Sequence, residues 1–99
     1  MTEQERMLSG ALYNAGDPAL LEARQRAKCL CHRFNTQSPE DNAYAQHQQE
    51  TLQALLGHVG TQCWIEAPFH CDYGTQITIG DHFFANYDCI FLDVAPIVI

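Results

Sequence analysis

Residues 65–97 read IEAPFHCDYGTQITIGDHFFANYDCIFLDVAPI, and their spacing decides the fold. Every sixth residue from Ile65 gives Ile65, Cys71, Ile77, Phe83, Cys89 and Ala95, all apolar. Every sixth from Ala67 gives Ala67, Tyr73, Ile79, Ala85, Phe91 and Ile97, apolar apart from the tyrosine hydroxyl. The frame between them, from Glu66 through Asp72 and Thr78 to Pro96, is mixed. A helix repeats about every 3.6 residues and a strand every two, so a period of six fits neither a helix nor a simple hairpin. It predicts a β-solenoid whose short strands turn a corner about every six residues from about residue 64, with inward side chains stacked coil on coil. The competing reading is an ordinary meander, because any period of six contains a period of two. Under the solenoid reading Ile65, Ile77, Ile79, Ala85 and Phe91 are strongly buried.

Upstream the pattern is helical. Glu3–Leu8 predicts a short first helix ending near Gly10. Asp17-Pro18 is a capping residue followed by proline at the first helical position. Leu20, Leu21, Ala27, Leu30, Cys31 and Phe34 then recur at helical spacing, predicting a helix over 17–34. Ser38-Pro39-Glu40-Asp41 repeats the start signal with an acid at the capping-box position, predicting a helix over 39–56 that ends at Gly57. The chain therefore divides into a helical cap, 1–58, and the start of a β-helix, 59–99.

Composition narrows the function. The net charge is −7, and all five Lys plus Arg lie between Arg6 and Arg33, which argues against a nucleic-acid partner needing clustered cations. No apolar run approaches the roughly 20 residues that span a bilayer, so no membrane partner is expected. The polar, partly acidic start Met1–Arg6 is not a secretory signal, and a cytoplasmic location follows. The five cysteines, Cys29, Cys31, Cys63, Cys71 and Cys89, contain no C-x-x-C pair and match no common zinc pattern. They are expected as reduced thiols filling small apolar spaces, with no metal and no bound cofactor.

Several segments together resemble a known family. They are Phe69–Gly74, Ile77–Gly80, Phe83–Tyr87 and Phe91–Ile97, with Glu5–Gly10, Leu12-Tyr13, Asp17-Pro18, Ala23-Arg24 and Phe34-Asn35 upstream. They resemble the maltose and galactoside O-acetyltransferases among the hexapeptide-repeat acyltransferases. The resemblance covers essentially the whole chain. It implies an α+β fold, a helical cap followed by the first coils of a left-handed parallel β-helix. It also implies a homotrimer with sites between subunits, acetyl-CoA as co-substrate and a sugar as acceptor. In that chemistry a histidine takes the proton of the sugar hydroxyl, the oxygen attacks the thioester, and hydrogen-bond donors stabilise the oxyanion.

The resemblance places acceptor contacts at Asp72, Asn86 and Asp93, with Asp17 as the nearest cap acid. Each has a plainer reading: Asp72 as a solvated corner residue, Asn86 as an inward ladder amide, and Asp17 as a helix cap. Asp93 lies in an apolar neighbourhood. No catalytic residue is assigned. His32, His47 and His58 read as cap helix surface, and His70 and His82 as outward or corner positions. The family's catalytic histidine sits between a glycine or threonine and a proline, and no such triplet occurs here. Residues Ile97-Val98-Ile99 end in mid-strand after two coils, fewer than the roughly three a solenoid usually needs. The expectation is a truncated fragment, inactive alone. The alternative is a non-catalytic carbohydrate-binding or trimer-assembly module.

Overall fold

The computed structural model describes residues 1–99 throughout. Helix α1 (Glu3–Ser9) begins with a capping box: Thr2 Oγ1 accepts from the Glu5 N–H at 3.0 Å, and the Glu5 carboxylate accepts from the Thr2 N–H. It ends on Gly10 at φ 82°. Helix α2 (Pro18–Thr36) begins as its sequence predicts, with the Ala19 N–H donating to the Asp17 carboxylate at 3.1 Å. Its stripe of Leu20, Ala27, Leu30, Cys31 and Phe34 is buried.

Helix α3 (Tyr44–Leu55) starts at Tyr44, not at residue 39, and no side chain caps it. The reason is local. Ser38 Oγ accepts from the Glu40 N–H at 3.3 Å, and Asp41 Oδ1 accepts from the Ala43 N–H at 2.8 Å. These short polar side chains close turns instead of capping a helix. Leu56 is the C-cap, and Gly57 is not in the left-handed conformation its position suggested. Gln48, buried in α3, donates to the Phe34 carbonyl at 2.9 Å and so satisfies part of the end of α2.

Seven short strands follow: β1 (His58–Val59), β2 (Trp64–Ile65), β3 (Phe69–Cys71), β4 (Ile77–Ile79), β5 (Phe84–Ala85), β6 (Cys89–Phe91) and β7 (Ile97–Val98). Strand pairing thus starts at His58, which is a strand residue and not part of a cap helix. All pairs are parallel, in three sheets ordered β1-β4-β7, β2-β5 and β3-β6. These are the three faces of a β-helix, which excludes the meander. His58 lies opposite Thr78, Trp64 opposite Phe84, Phe69 opposite Cys89 and Ile77 opposite Ile97, so one turn takes 20 residues.

Three strict hexapeptides fall two residues short of that turn. The five-residue corner that joins β3 to β4 through Asp72–Gln76, and recurs one turn later between β6 and β7, is longer than the others. Gly74 sits there at φ 80°, and a Cβ on it would lie 2.5 Å from the Leu55 carbonyl oxygen. The last turn of α3 rests directly on this corner, which is why it needs glycine. The strict sixfold frame therefore slips. Ile65 stacks on Ala85, Cys71 on Phe91 and Ile77 on Ile97, while Ala95 is exposed. Ile65, Ile77, Ile79 and Ala85 are buried as expected, but Phe91 is only half-buried. Strand β6 has a neighbour on one side only, and the Phe91 ring meets Phe69 edge-on at 5.4 Å.

The cap and the coil share one core, in which Phe34, Leu52 and Leu55 pack with Ile65, Phe69, Ile77 and Ile79. Asn35 clasps the two. Its Nδ2 donates to the Phe69 carbonyl at 3.0 Å, and its Oδ1 accepts from the Phe69 N–H at 2.8 Å. The amide thus imitates a neighbouring strand. Asn35→Ala should cost about 1–3 kcal/mol, because a buried backbone pair loses its partners. Thermal melts check this, and a loss below about 0.5 kcal/mol would show the clasp to be idle.

Candidate functional site

The corner Asp72–Gln76 lies where the cap meets the first coil. Three groups fix its shape. Asp93, one turn further along, is fully buried; Oδ1 accepts from the Tyr73 N–H at 2.9 Å and Oδ2 from the Gln76 N–H at 3.2 Å. The Gln76 side chain returns a bond to the Asp93 carbonyl. From the cap, Arg24 Nη1 donates to the Tyr73 hydroxyl at 2.8 Å, and Nη2 donates to the Ala15 carbonyl at 2.7 Å. The guanidinium carbon stands 5.8 Å from the centre of the Tyr73 ring. Tyr73 completes a small cluster with Met7 and Leu20.

Asp72 is therefore held half-buried beside a buried carboxylate. Desolvation first, and the Asp93 charge second, push its carboxyl above the ordinary carboxylate range; Arg24 pulls the other way. The folded chain binds this proton more tightly than the unfolded chain does. Stability linked to Asp72 is thus fully present below the unfolded carboxylate pKa and is lost as pH rises through the raised folded value. Asp72→Asn should raise Tm at pH 7 by an amount worth about 0.5 kcal/mol or less after solvent screening. The gain should shrink at pH 3.5, and equal shifts at both pH values would remove charge as the cause.

The other expected site residues lie apart from this corner or serve it indirectly. Asp17 caps α2, and its N–H closes a turn onto the Asn14 carbonyl at 3.1 Å. That turn includes Ala15, so one guanidinium joins the Asp17 turn to the Asp72 corner. Asn86 occupies the corner between β5 and β6 and is exposed. Its Oδ1 accepts from the Tyr87 N–H at 2.9 Å, which leaves the amide NH2 in solvent and rules out an inward ladder. Its apolar neighbours do not bury it, because Phe84, Tyr87 and Ile90 are exposed as well. No cavity of the single chain is lined by Asp17, Asp72, Asn86 or Asp93.

The histidines do structural or surface work. His82 takes φ 59° at a corner, one turn beyond Gln62 at φ 54°, and its N–H donates to the Thr61 carbonyl at 2.8 Å. His47 Nδ1 lies 3.0 Å from Gln37 Nε2 and 3.4 Å from Asp41. His58 and His70 are exposed on strands. Arg24 is the corner-holding residue that residue-type reasoning missed. An arginine on a helix face gives no hint of a tyrosine 49 positions away. No helix is long and apolar enough to cross a membrane.

Comparison with known proteins agrees with this architecture. The maltose acetyltransferase hexapeptide capping motif matches residues 6–60. Nodulation protein L of Rhizobium meliloti is 41% identical over 98 residues, covering 99% of this chain and 52% of its own length. A maltose O-acetyltransferase from Clostridium difficile 630 superposes with TM-score 0.91 at 44% identity, covering 97% of this chain and 50% of that one. A hexapeptide-repeat acetyltransferase from Vibrio cholerae, solved with acetyl-CoA, superposes with TM-score 0.83 at 33% identity, covering 99% and 51%. The chain spans about half the length of the relatives it matches.

Proposed function

This chain belongs to the hexapeptide-repeat acetyltransferases that carry the maltose acetyltransferase cap, and we propose that residues 1–99 form the acceptor-binding part of an enzyme that transfers acetyl from acetyl-CoA to a sugar hydroxyl. The observation that carries this reading is Asp72. Its carboxylate is kept half-buried with no hydrogen-bond donor from the chain, although burial and the nearby Asp93 raise its energy. A carboxylate retained in such a place is suited to an incoming hydroxyl donor. The solvent-facing amide of Asn86 supplies both a donor and an acceptor, as a sugar hydroxyl requires. Asp93 acts by holding the corner that presents Asp72. Asp17 acts through the turn that shares Arg24 with that corner.

Asp72 and Asn86 sit on different corners, and neither lines a cavity of one chain. A second subunit supplying the missing wall accounts for both facts, and the exposed Phe84, Tyr87 and Ile90 give it an apolar surface to meet. We therefore read the β-helix as left-handed and the assembly as a homotrimer with intersubunit sites, in the cytoplasm. The division is a cap over 1–58 and a coil over 59–99. Acetyl-CoA is the donor, since relatives of this architecture have been solved with it. Within this reading the sugar oxygen attacks the thioester carbonyl, CoA leaves as the thiol, and a base outside residues 1–99 takes the hydroxyl proton.

The test is kinetic. Residues 1–99 fused to the later half of the Clostridium difficile protein give a complete coil stack. In that fusion Asn86→Ala should raise the acceptor KM several-fold, corresponding to about 1 kcal/mol for one lost hydrogen bond. The acetyl-CoA KM should stay put. Acceptor kinetics identical to the unsubstituted fusion would remove Asn86 from the site.

A further inference from the structure

Cys31 and Cys71 lie 40 residues apart in sequence, yet their sulfurs stand 3.9 Å apart. Cys31 is on the buried stripe of α2, and Cys71 ends β3. Both open onto a groove of about 440 Å³ between the cap and the coil, shared with Lys28, His32, Asn35 and His70. Nothing in acceptor binding or acetyl transfer uses this groove, which involves none of Asp17, Asp72, Asn86 and Asp93. The remaining cysteines are placed differently. Cys63 Sγ donates to the Gly80 carbonyl at 3.0 Å, Cys89 Sγ donates to the Asn86 carbonyl at 3.3 Å, and Cys29 is exposed on the opposite side of α2 from Cys31. Only one pair of thiols is therefore face to face.

We propose that Cys31 and Cys71 form a peroxide-reactive dithiol site whose disulfide ties the cap helix to the first coil. Bond formation requires the sulfurs to close from 3.9 Å to the roughly 2.05 Å of a disulfide. The shared hydrogen bond favours one reactive partner. Donation from Cys71 lowers the Cys31 thiol to about 7, against the opposing effect of burial. The same bond, followed by burial and the charges of Cys31, Asp93 and Asp72, holds Cys71 protonated. With both sulfurs lining the groove that admits the oxidant, we take Cys31 as the nucleophile and Cys71 as the resolving thiol.

The chemistry balances with hydrogen peroxide as the oxidant. The Cys31 thiolate attacks one peroxide oxygen, the O–O bond breaks, and a sulfenic acid forms as hydroxide leaves. That hydroxide takes the Cys71 proton, and the Cys71 sulfur attacks the sulfenic sulfur. The S–S bond forms, the S–O bond breaks, and the departing oxygen leaves as water once protonated. Two thiols and one peroxide become one disulfide and two waters.

The test treats the folded 99-residue chain with stoichiometric hydrogen peroxide, denatures it, alkylates free thiols and maps the peptides. The expected result is a Cys31–Cys71 cross-linked peptide, with Cys29, Cys63 and Cys89 alkylated. The same oxidised chain should melt on the order of 10 °C higher than the reduced one, reversibly with dithiothreitol, because a loop of 40 residues has been closed. Five alkylated cysteines, or cross-links made mainly by Cys29, Cys63 or Cys89, would overturn the proposal. Cross-linking of Cys31 to Cys71 that runs as fast in denaturant as in the folded chain would overturn it too, since the fold would then contribute nothing.

Discussion

Purified, folded residues 1–99, given acetyl-CoA with maltose or glucose, should release CoA no faster than a protein-free control. A positioned base contributes about 10² to 10⁴ in rate, and no histidine here is placed to act as one. His82 is exposed on a left-handed corner with no hydrogen bond to orient its ring, and His47 is engaged with Gln37 and Asp41. His70 lines the groove shared with Lys28 and His32, which neither Asp72 nor Asn86 lines. Orienting two reactants supplies roughly a further 7–11 kcal/mol of the barrier. That orientation needs a donor site as well, which the proposed reading assigns to the rest of the enzyme. The readout is a thiol-release assay. Sugar-dependent release well above the control would refute the prediction, and His70→Ala and His82→Ala would then show which side chain acts.

Asp93→Ala should be the most damaging single substitution for stability. The carboxylate is fully buried, and its two oxygens hold the N–H groups of Tyr73 and Gln76 across one turn of the coil. Removing it leaves both donors buried without partners, at about 1–3 kcal/mol each, together with a small cavity. A loss of about 2–6 kcal/mol is a large share of the 5–15 kcal/mol typical of a domain. Asp93→Asn keeps one acceptor oxygen and turns an NH2 toward the other donor, so it should lose less. Urea unfolding of the three proteins gives the ranking. An alanine variant within about 0.5 kcal/mol of the parent would show the corner to be held by Arg24 and Gly74 alone.

The sequence carried the parts of the fold that depend on local rules. Asp17-Pro18 marks a helix start by a hydrogen bond made within a few residues. The sixfold apolar pattern marks a solenoid because inward positions recur. What it hid depends on longer range. The 20-residue turn is invisible in a sixfold count because the extra length sits in one corner of each turn, the first of them under the last turn of α3. The start signal at Ser38–Asp41 misled because the same side chains close turns equally well.

The site divides along the same line. Asp72, Asn86 and Asp93 are candidates through the family resemblance, and the contacts they make could not be read from the sequence. Asp93 meets backbone donors one turn away, Asn86 turns its amide to solvent, and Arg24 reaches across the seam. Cys31 and Cys71 came together without any spacing motif, and Cys29 proved exposed where a buried filler was expected.

If residues 1–99 carry the acceptor side of an acetyl-transfer site, as proposed, the unsubstituted fusion to the later half of the Clostridium difficile protein should acetylate a sugar. Once the fusion is shown to be folded and to bind acetyl-CoA, CoA release is followed against a series of sugars. Release should require a sugar, saturate with it, and be accompanied by an O-acetylated product. A folded, acetyl-CoA-binding fusion that acetylates no sugar would contradict the proposal.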